Sequence, residues 1–420
     1  MPFMMNKVLF SLILFPFCIV AQTNNLTGSP YSFFGLGVST NSSIGKNSAL
    51  GRGGYALNSN FLINNLNPAA LGTLGEKSFL FDFGFLTEIS TVANRSTEET
   101  RVAGNFSNLA IASSITPKSA FGLSVVPYSD VGYSLIGIDS NVEGSSNSFI
   151  SNVFGTGSLN DLRLSYGSSL TDDLRAGVYI SYLFGAISER ESVTALSGFV
   201  NESTLTISEE NKYNGFRFGL GLQYSVFPNL TLGWNLSLPT TLSGTRDRSV
   251  EKTLDFIPTP VENETDLDID GFDLPLEVGT GILFSPIPKI HVNLDYTLKL
   301  WNATDQRDNI GEFVNQYIYG IGVEYLKADR SFNYLDRIRI RAGFNYDSGY
   351  LNINGNVIDA YSITAGLGIP LGARSQSMLN IGFSSSSRGS TEGILVEERL
   401  NTININLSLK DIWFRKRKIN

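Results

Sequence analysis

The feature that most limits this chain is a period-two alternation sustained over ten residues or more. Ile290, Val292, Leu294, Tyr296, Leu298 and Leu300 alternate with His291, Asn293, Asp295, Thr297, Lys299 and Trp301, so one face is apolar and the other nearly all polar. Successive side chains of a strand point to opposite faces, so such a segment lies between an apolar and an aqueous medium. Phe216, Phe218, Leu220, Leu222 and Tyr224 repeat the pattern, as do Ile403, Ile405, Leu407 and Leu409. Strands of soluble sheets are usually about 5–6 residues long, shorter than these. Beyond residue 21 no apolar run approaches the ~20 residues a spanning helix needs. The fold class that satisfies both facts is all-β: a transmembrane antiparallel β-barrel.

Candidate strands begin near residues 78, 104, 119, 158, 174, 214, 230, 274, 289, 314, 335, 359, 376 and 394, which predicts about 14. An even number suits a barrel of this kind. Tight turns at Thr116-Pro117-Lys118, Thr171-Asp172-Asp173, Phe227-Pro228-Asn229 and Pro286-Ile287-Pro288 alternate with long polar stretches near 140–157, 190–213 and 247–273, expected as loops. The tight ends are expected in the periplasm. A weakly β-like stretch at Leu205–Ser208 is assigned to its loop, because a fifteenth strand would put the termini on opposite sides of the membrane.

Lys7, the apolar run from Val8 to Val20 and the small residue Ala21 predict a signal peptide over 1–21. The only cysteine, Cys18, falls inside it. Residues 22–76 do not alternate; they are rich in Gly, Asn and Ser yet carry Phe33, Phe34, Leu62 and Leu66. They are expected to form an N-terminal plug, with a flexible arm as the alternative. The barrel is then expected over 77–411 and a basic periplasmic tail over 412–420, both termini being periplasmic and the location a Gram-negative outer membrane.

Asn67-Pro68-Ala69-Ala70-Leu71 resembles the Asn-Pro-Ala motif in the hatch of the FadL-type family (OMPP1/FadL/TodX) of outer-membrane transporters for hydrophobic compounds. Leu274-Pro275, Gly279, Gly281, Pro286 and Leu294-Asp295-Tyr296 are similar to that family's ninth and tenth strands, and Arg341-Ala342-Gly343-Phe344 to its twelfth. The resemblance implies a hatch that closes the lumen, with Asn67, Pro68 and Ala69 at its motif. It also implies a hydrophobic ligand, a long-chain fatty acid or aromatic hydrocarbon, that leaves sideways into outer-membrane lipid through a kink in strand three. Pro127, followed by Tyr128, Ser129 and Asp130, sits in the third predicted strand and cannot donate a ladder hydrogen bond, so this is the candidate opening; an ordinary bulge is the other reading.

Arg337, Arg339 and Arg341 alternate with apolar residues and are expected to face the lumen, since each guanidinium at the lipid midplane would cost about 2–4 kcal/mol. Glu277, Asp295, Glu324 and His291 fall on the inward face of nearby strands. Together they are expected to form a charge network that holds the hatch, with a step that receives a ligand carboxylate as the sharper alternative. His291, without an evident Ser partner, reads as a wall residue. Asp266, Asp268, Asp270 and Glu277 match the calcium-loop pattern in spacing, but no helical pattern flanks them, so a solvated acidic loop is expected over calcium ligation.

A net charge of −8 argues against nucleic acid as partner, and one His with no Gly-x-Ser-x-Gly elbow, phosphate loop or Cys/His cluster argues against an enzyme and against a cofactor. Two functions remain. One is passive uptake of hydrophobic small molecules. The other is a cargo-binding or structural barrel working with secretion machinery or a cargo protein, since some FadL-type barrels resemble the shuttle subunit of type IX secretion. Cargo binding needs large ordered outer surfaces, whereas uptake needs a continuous apolar tunnel.

Overall fold

The computed structural model describes residues 27–40, 43–141, 148–196, 203–255, 257–304, 306, 311–329, 331–372 and 376–412. The expected signal peptide and the basic tail beyond Ile412 lie outside the described residues. Fourteen strands follow in chain order: β1 Ser78–Ala93, β2 Glu98–Thr116, β3 Ser119–Asn141, β4 Ser148–Ser169, β5 Leu174–Leu196, β6 Ser203–Phe227, β7 Leu230–Ser237 continued by Thr240–Leu254, and β8 Ile257–Leu274 continued by Glu277–Ile287. Then come β9 Ile290–Lys299, β10 Gln316–Leu326, β11 Arg339–Asp347, β12 Ala360–Pro370, β13 Met378–Gly389 and β14 Glu397–Ile412. Each pairs antiparallel with the next, and β14 returns to β1 with Ile412 opposite Ser78, which closes the barrel.

Burial is inverted relative to a water-soluble protein. Phe218 and Ile363 point outward and are 52% and 61% exposed, while Asn108, Gln223 and Asn406 point inward and are fully buried. Apolar residues outward and polar residues inward is the arrangement that lipid outside and a polar interior require. Tyr319, Tyr346 and Tyr361 stand side by side on the outer face, one strand apart, as part of an aromatic girdle.

The two ends of the barrel differ. Tight turns gather at one end; at the other, β3 to β8 rise above their neighbours as a six-stranded wall. Of the stretches expected as loops near 140–157, 190–213 and 247–273, residues 148–157, 190–196, 203–213, 247–254 and 257–273 are strand in this wall. The β5–β6 ladder runs without a break from Leu174 opposite Tyr224 to Ala195 opposite Ser203. Leu205–Ser208 is neither loop nor extra strand but the upper part of β6, paired with Val193 to Arg190 on one side and with Lys252 to Ser249 on the other. Apolar alternation here is limited to Leu205 and Ile207 before the polar run Ser208 to Lys212, too short a signal to mark a strand of this length.

β7 and β8 are each interrupted once, at Leu238–Pro239 and at Pro275–Leu276. Pro239 cannot donate to a ladder, and a proline within a strand marks a bulge or an end. Arg217 spans the damage: its Nε donates to Leu238 O at 3.1 Å and its Nη2 to Pro275 O at 2.7 Å.

Candidate functional site

The lumen is filled by the chain's own N-terminal segment. Ser32 Oγ, Tyr55 N and Gly51 N bond to Gly132 N, Asp295 and Thr364 on three separate sectors of the wall. Toward the tall end, Phe33 packs against Tyr133 with ring centres 5.3 Å apart, and Trp301, Phe313 and Tyr350 form a three-ring cluster with centres 5.3, 5.4 and 5.7 Å apart. Tyr31 accepts from Val396 N and donates to Val396 O, and burial pushes its hydroxyl up to about 12. Thr27, the first described residue, bonds to Asp130, and Ile412, the last, stands opposite Ser78 at the tight-turn end.

The Asn67-Pro68-Ala69 corner sits at the opposite depth. Asn67 is fully buried; its Oδ1 accepts from Ala69 N at 3.0 Å, which caps the short helical turn Pro68–Thr73, and its Nδ2 reaches Tyr55 O, Leu222 O and Trp234 O at 2.8, 3.1 and 3.2 Å. Pro68 fits the first helical position because it lacks an N–H that would be unbonded there anyway. Gly167, Gly177 and Gly221 stand in register on β4, β5 and β6 beneath it. A Cβ on Gly177 would come within 2.5 Å of the Pro68 carbonyl carbon, so these three strands carry a shallow cradle cut for this turn.

Pro127 marks a parting of the wall. The β2–β3 ladder runs from Thr116 opposite Ser119 to Leu109 opposite Val125 and stops. β2 continues along β1 alone, and β3 continues along β4 with a register shift between Pro127 and Ser129. In place of β2, the edge of β3 is covered by the N-terminal segment: Val38 pairs with Asp130, Ser39 with Ser129, Thr40 N donates to Tyr128 O at 3.0 Å, and Thr40 Oγ1 donates to Pro127 O. The four residues expected at the opening thus lie where the seam begins. Beside it is a cavity of about 160 Å³ whose lining includes Val38, Arg52, Glu88, Pro127, Arg388 and Leu400.

The seven residues expected in one charge network fall into separate groups. Glu324 accepts from Arg341 at 2.7 Å and from Arg339 at 3.3 Å, and Arg339 also reaches Asp329 at 3.2 Å and lies over the Phe61 ring. Buried Lys46 of the N-terminal segment faces this group. Burial outweighs the attraction of Glu324 and lowers its ammonium to about 8. Arg337 is not in the strand: it belongs to the turn Tyr334–Arg337 and donates to Gly372 O, because the strand begins only at Arg339. Glu277 pairs instead with Lys299 and Arg217, at 3.7 and 4.0 Å, and Asp295 accepts from Tyr55 N and Asn293. His291 does have a serine partner, contrary to expectation: Ser285 Oγ lies 2.7 Å from Nδ1 across the β8–β9 turn, clipping the hairpin.

The calcium pattern is not assembled. Asp266, Asp268 and Asp270 lie in strand β8, not in a loop, and Glu277 lies beyond the Pro275 interruption among cations. Alternating strand positions cannot wrap an ion as a loop does. Asp266 instead takes φ 55° at a bulge and donates its N–H to Asp247 at 2.9 Å. Among the described residues no group of three metal-ligating side chains occurs.

Sequence reading missed Arg52, Arg163, Arg217 and Lys299, which line the cavities. Isolated cations on the polar faces of β4, β6 and β9 were the available signal for Arg163, Arg217 and Lys299, whereas Arg52 lies in the non-alternating N-terminal segment.

The model of the BamG family matches residues 4–420. No curated protein matches the sequence. Among solved structures, the toluene transporter TbuX of Ralstonia pickettii is 16% identical with a TM-score of 0.58, over 88% of this chain and 98% of that one. The P. putida toluene transporter TodX is 14% identical at 0.58, over 90% and 100%, and a Pseudomonas aeruginosa FadL homologue is 12% identical at 0.55, over 90% and 99%. These likenesses establish a shared β-barrel fold.

Proposed function

This chain belongs to the BamG family, and we propose that it is an outer-membrane conduit for passive uptake of hydrophobic small molecules, held in its closed form. In this reading the tight turns face the periplasm, residues 22–76 act as the hatch, and the ligand leaves into lipid through the β2–β3 seam. One observation carries it: the barrel's own ladder stops at Val125, and two hatch residues take the place of the missing strand. A wall with a complete β2–β3 ladder would need no such cover. The solved barrels titled as toluene transporters add support for the ligand class.

The test is a lock. Ser39 and Ser129 are register partners, so Ser39→Cys with Ser129→Cys can be joined by oxidation, and the sequence's only cysteine, Cys18, lies in the expected signal peptide. Uptake of a labelled fatty acid and of a neutral aromatic is expected to fall on oxidation and return on reduction. Uptake that ignores the lock sinks the seam.

A second reading, a cargo-binding or assembly barrel without flux, is favoured by the six-stranded wall. It is a large ordered surface, and the cavities within the lumen are small and lined partly by charged groups. If neither compound's entry depends on the protein, this reading takes over.

A further inference from the structure

Midway down the lumen, between the hatch and strands β3 to β9, lies a chamber of about 50 Å³. That is several times the roughly 10–15 Å³ that one water-sized sphere needs. Three cations line it, Arg163, Arg217 and Lys299, together with the carboxylate of Glu277. Their partners do not balance them. Arg163 is matched by Asp161 at 2.6 Å. Among the described residues Arg217 and Lys299 have only Glu277 as carboxylate partner, at 4.0 and 3.7 Å, both beyond hydrogen-bond length, and Arg217 has turned its Nε and Nη2 away to the carbonyls of the strand breaks. Three cations against two carboxylates leave one positive charge in a buried space. An uncompensated buried charge is costly unless something pairs with it.

One neutral group beside the space can turn a donor to an anion. Thr40, Tyr128 and Tyr55 line the space, Thr40 with its N–H and O–H already given to Tyr128 O and Pro127 O and Tyr55 with its hydroxyl 2.9 Å from Thr297 Oγ1. Asn235, 5% exposed, also lines it with its Oδ1 unbonded, while its Nδ2 donates to Ser237 Oγ at 3.4 Å. Oxygen and nitrogen of an amide exchange by a half-turn. With that turn Ser237 donates to Oδ1, and the amide N–H groups become donors toward the chamber.

We propose that this chamber is a site for one small monovalent inorganic anion of halide size, held between Lys299 and Arg217 where the hatch meets the wall. The site is independent of any transported compound, so it stands or falls separately from the uptake reading.

The full-length protein in detergent is to be melted in chloride, in bromide and in gluconate at equal ionic strength, and crystals are to be grown in bromide. Chloride and bromide are expected to raise the melting midpoint by at least about 2 °C over gluconate, with an anomalous bromide peak in the chamber. Lys299→Met should abolish both the peak and the difference between salts while the barrel still shifts on gels with heating, and Lys299→Arg should restore them. Equal melting in all three salts, a chamber without a bromide peak, or a halide effect that survives Lys299→Met would each overturn the site.

Discussion

A Cβ on Gly221 would stand 2.7 Å from Pro68 Cδ and closer still to Asn67 Oδ1. The β6 backbone and the hatch corner therefore touch with no space for a side chain. Gly221→Val is expected to lift the corner and remove the Asn67 Nδ2 bonds to Tyr55 O, Leu222 O and Trp234 O, each hydrogen bond being worth about 0.5–1.5 kcal/mol. The barrel ladders do not depend on this contact. Cells carrying the variant should leak small polar solutes and their hatch should be cut by added protease, while the folded band on gels stays. An intact hatch in Gly221→Val would show that the cradle does not position it.

What the sequence made legible follows from what it encodes directly. Lipid acts on one face of every spanning strand, so Phe216 to Tyr224 and Ile290 to Leu300 announce themselves by alternation. The upper wall has water on both faces, so its alternation is brief: Leu205 and Ile207 stand between Thr204, Thr206 and Ser208, and the polar run Ser208 to Lys212 follows. The seam could be suspected from Pro127, but that Val38 and Ser39 cover it is a contact about ninety residues away in sequence, invisible to any local pattern. Arg217 was overlooked because its partners are backbone carbonyls. Two prolines in adjacent predicted strands, Pro239 and Pro275, were the sign that some inward donor had to serve the breaks.

Hatch docking should depend on pH through Lys46. Burial holds its folded-state pKa at about 8, below the ordinary 10.5 that it regains when the segment leaves the lumen. The docked state therefore binds fewer protons than the released state between those values. Below pH 8 both states are charged and docking is constant; from 8 to about 10.5 it tightens, by up to about 1.4 kcal/mol per pH unit. Lys46→Met should flatten this rise and dock more firmly at pH 7. Protease protection of the hatch measured across pH 7 to 10.5 checks both. Protection that falls over this window would mean that the ammonium is stabilised, not burdened, in its site.

Arg339 and Arg52 should part company on acids and on stability. Arg339 is already committed to Glu324, Asp329 and the Phe61 ring, so Arg339→Ala is expected to loosen the hatch and to affect acidic and neutral compounds alike. Arg52 lines the cavity beside the seam and makes no ion pair among the described residues. Arg52→Ala should weaken binding of a fatty acid about ten-fold or more, since a charge-assisted hydrogen bond is worth roughly 1.5–3 kcal/mol, and leave a neutral aromatic unchanged. Competition for a fluorescent fatty acid in purified protein is the measurement. Acid-specific loss in Arg339→Ala and none in Arg52→Ala would reverse the assignment.

Pro127 stands where the β2–β3 ladder ends, with no N–H to offer. Its carbonyl is taken by Thr40 of the hatch rather than by β2. Pro127→Val supplies a donor and a β-branched side chain that favours extended backbone. The ladder is then expected to climb past Val125, competing with the hatch for the edge of β3 and narrowing the seam whether or not the hatch is docked. Uptake of fatty acid and of neutral aromatic should fall together, because both would cross the same gap, while the heat-shifted gel band and hatch protection persist. This separates the seam from the hatch: Gly221→Val disturbs the plug and leaves the wall alone, and Pro127→Val does the reverse. Uptake at the parental rate in Pro127→Val, with protein present at the parental level, would mean that the parted ladder is a bulge beside the hatch and not an exit.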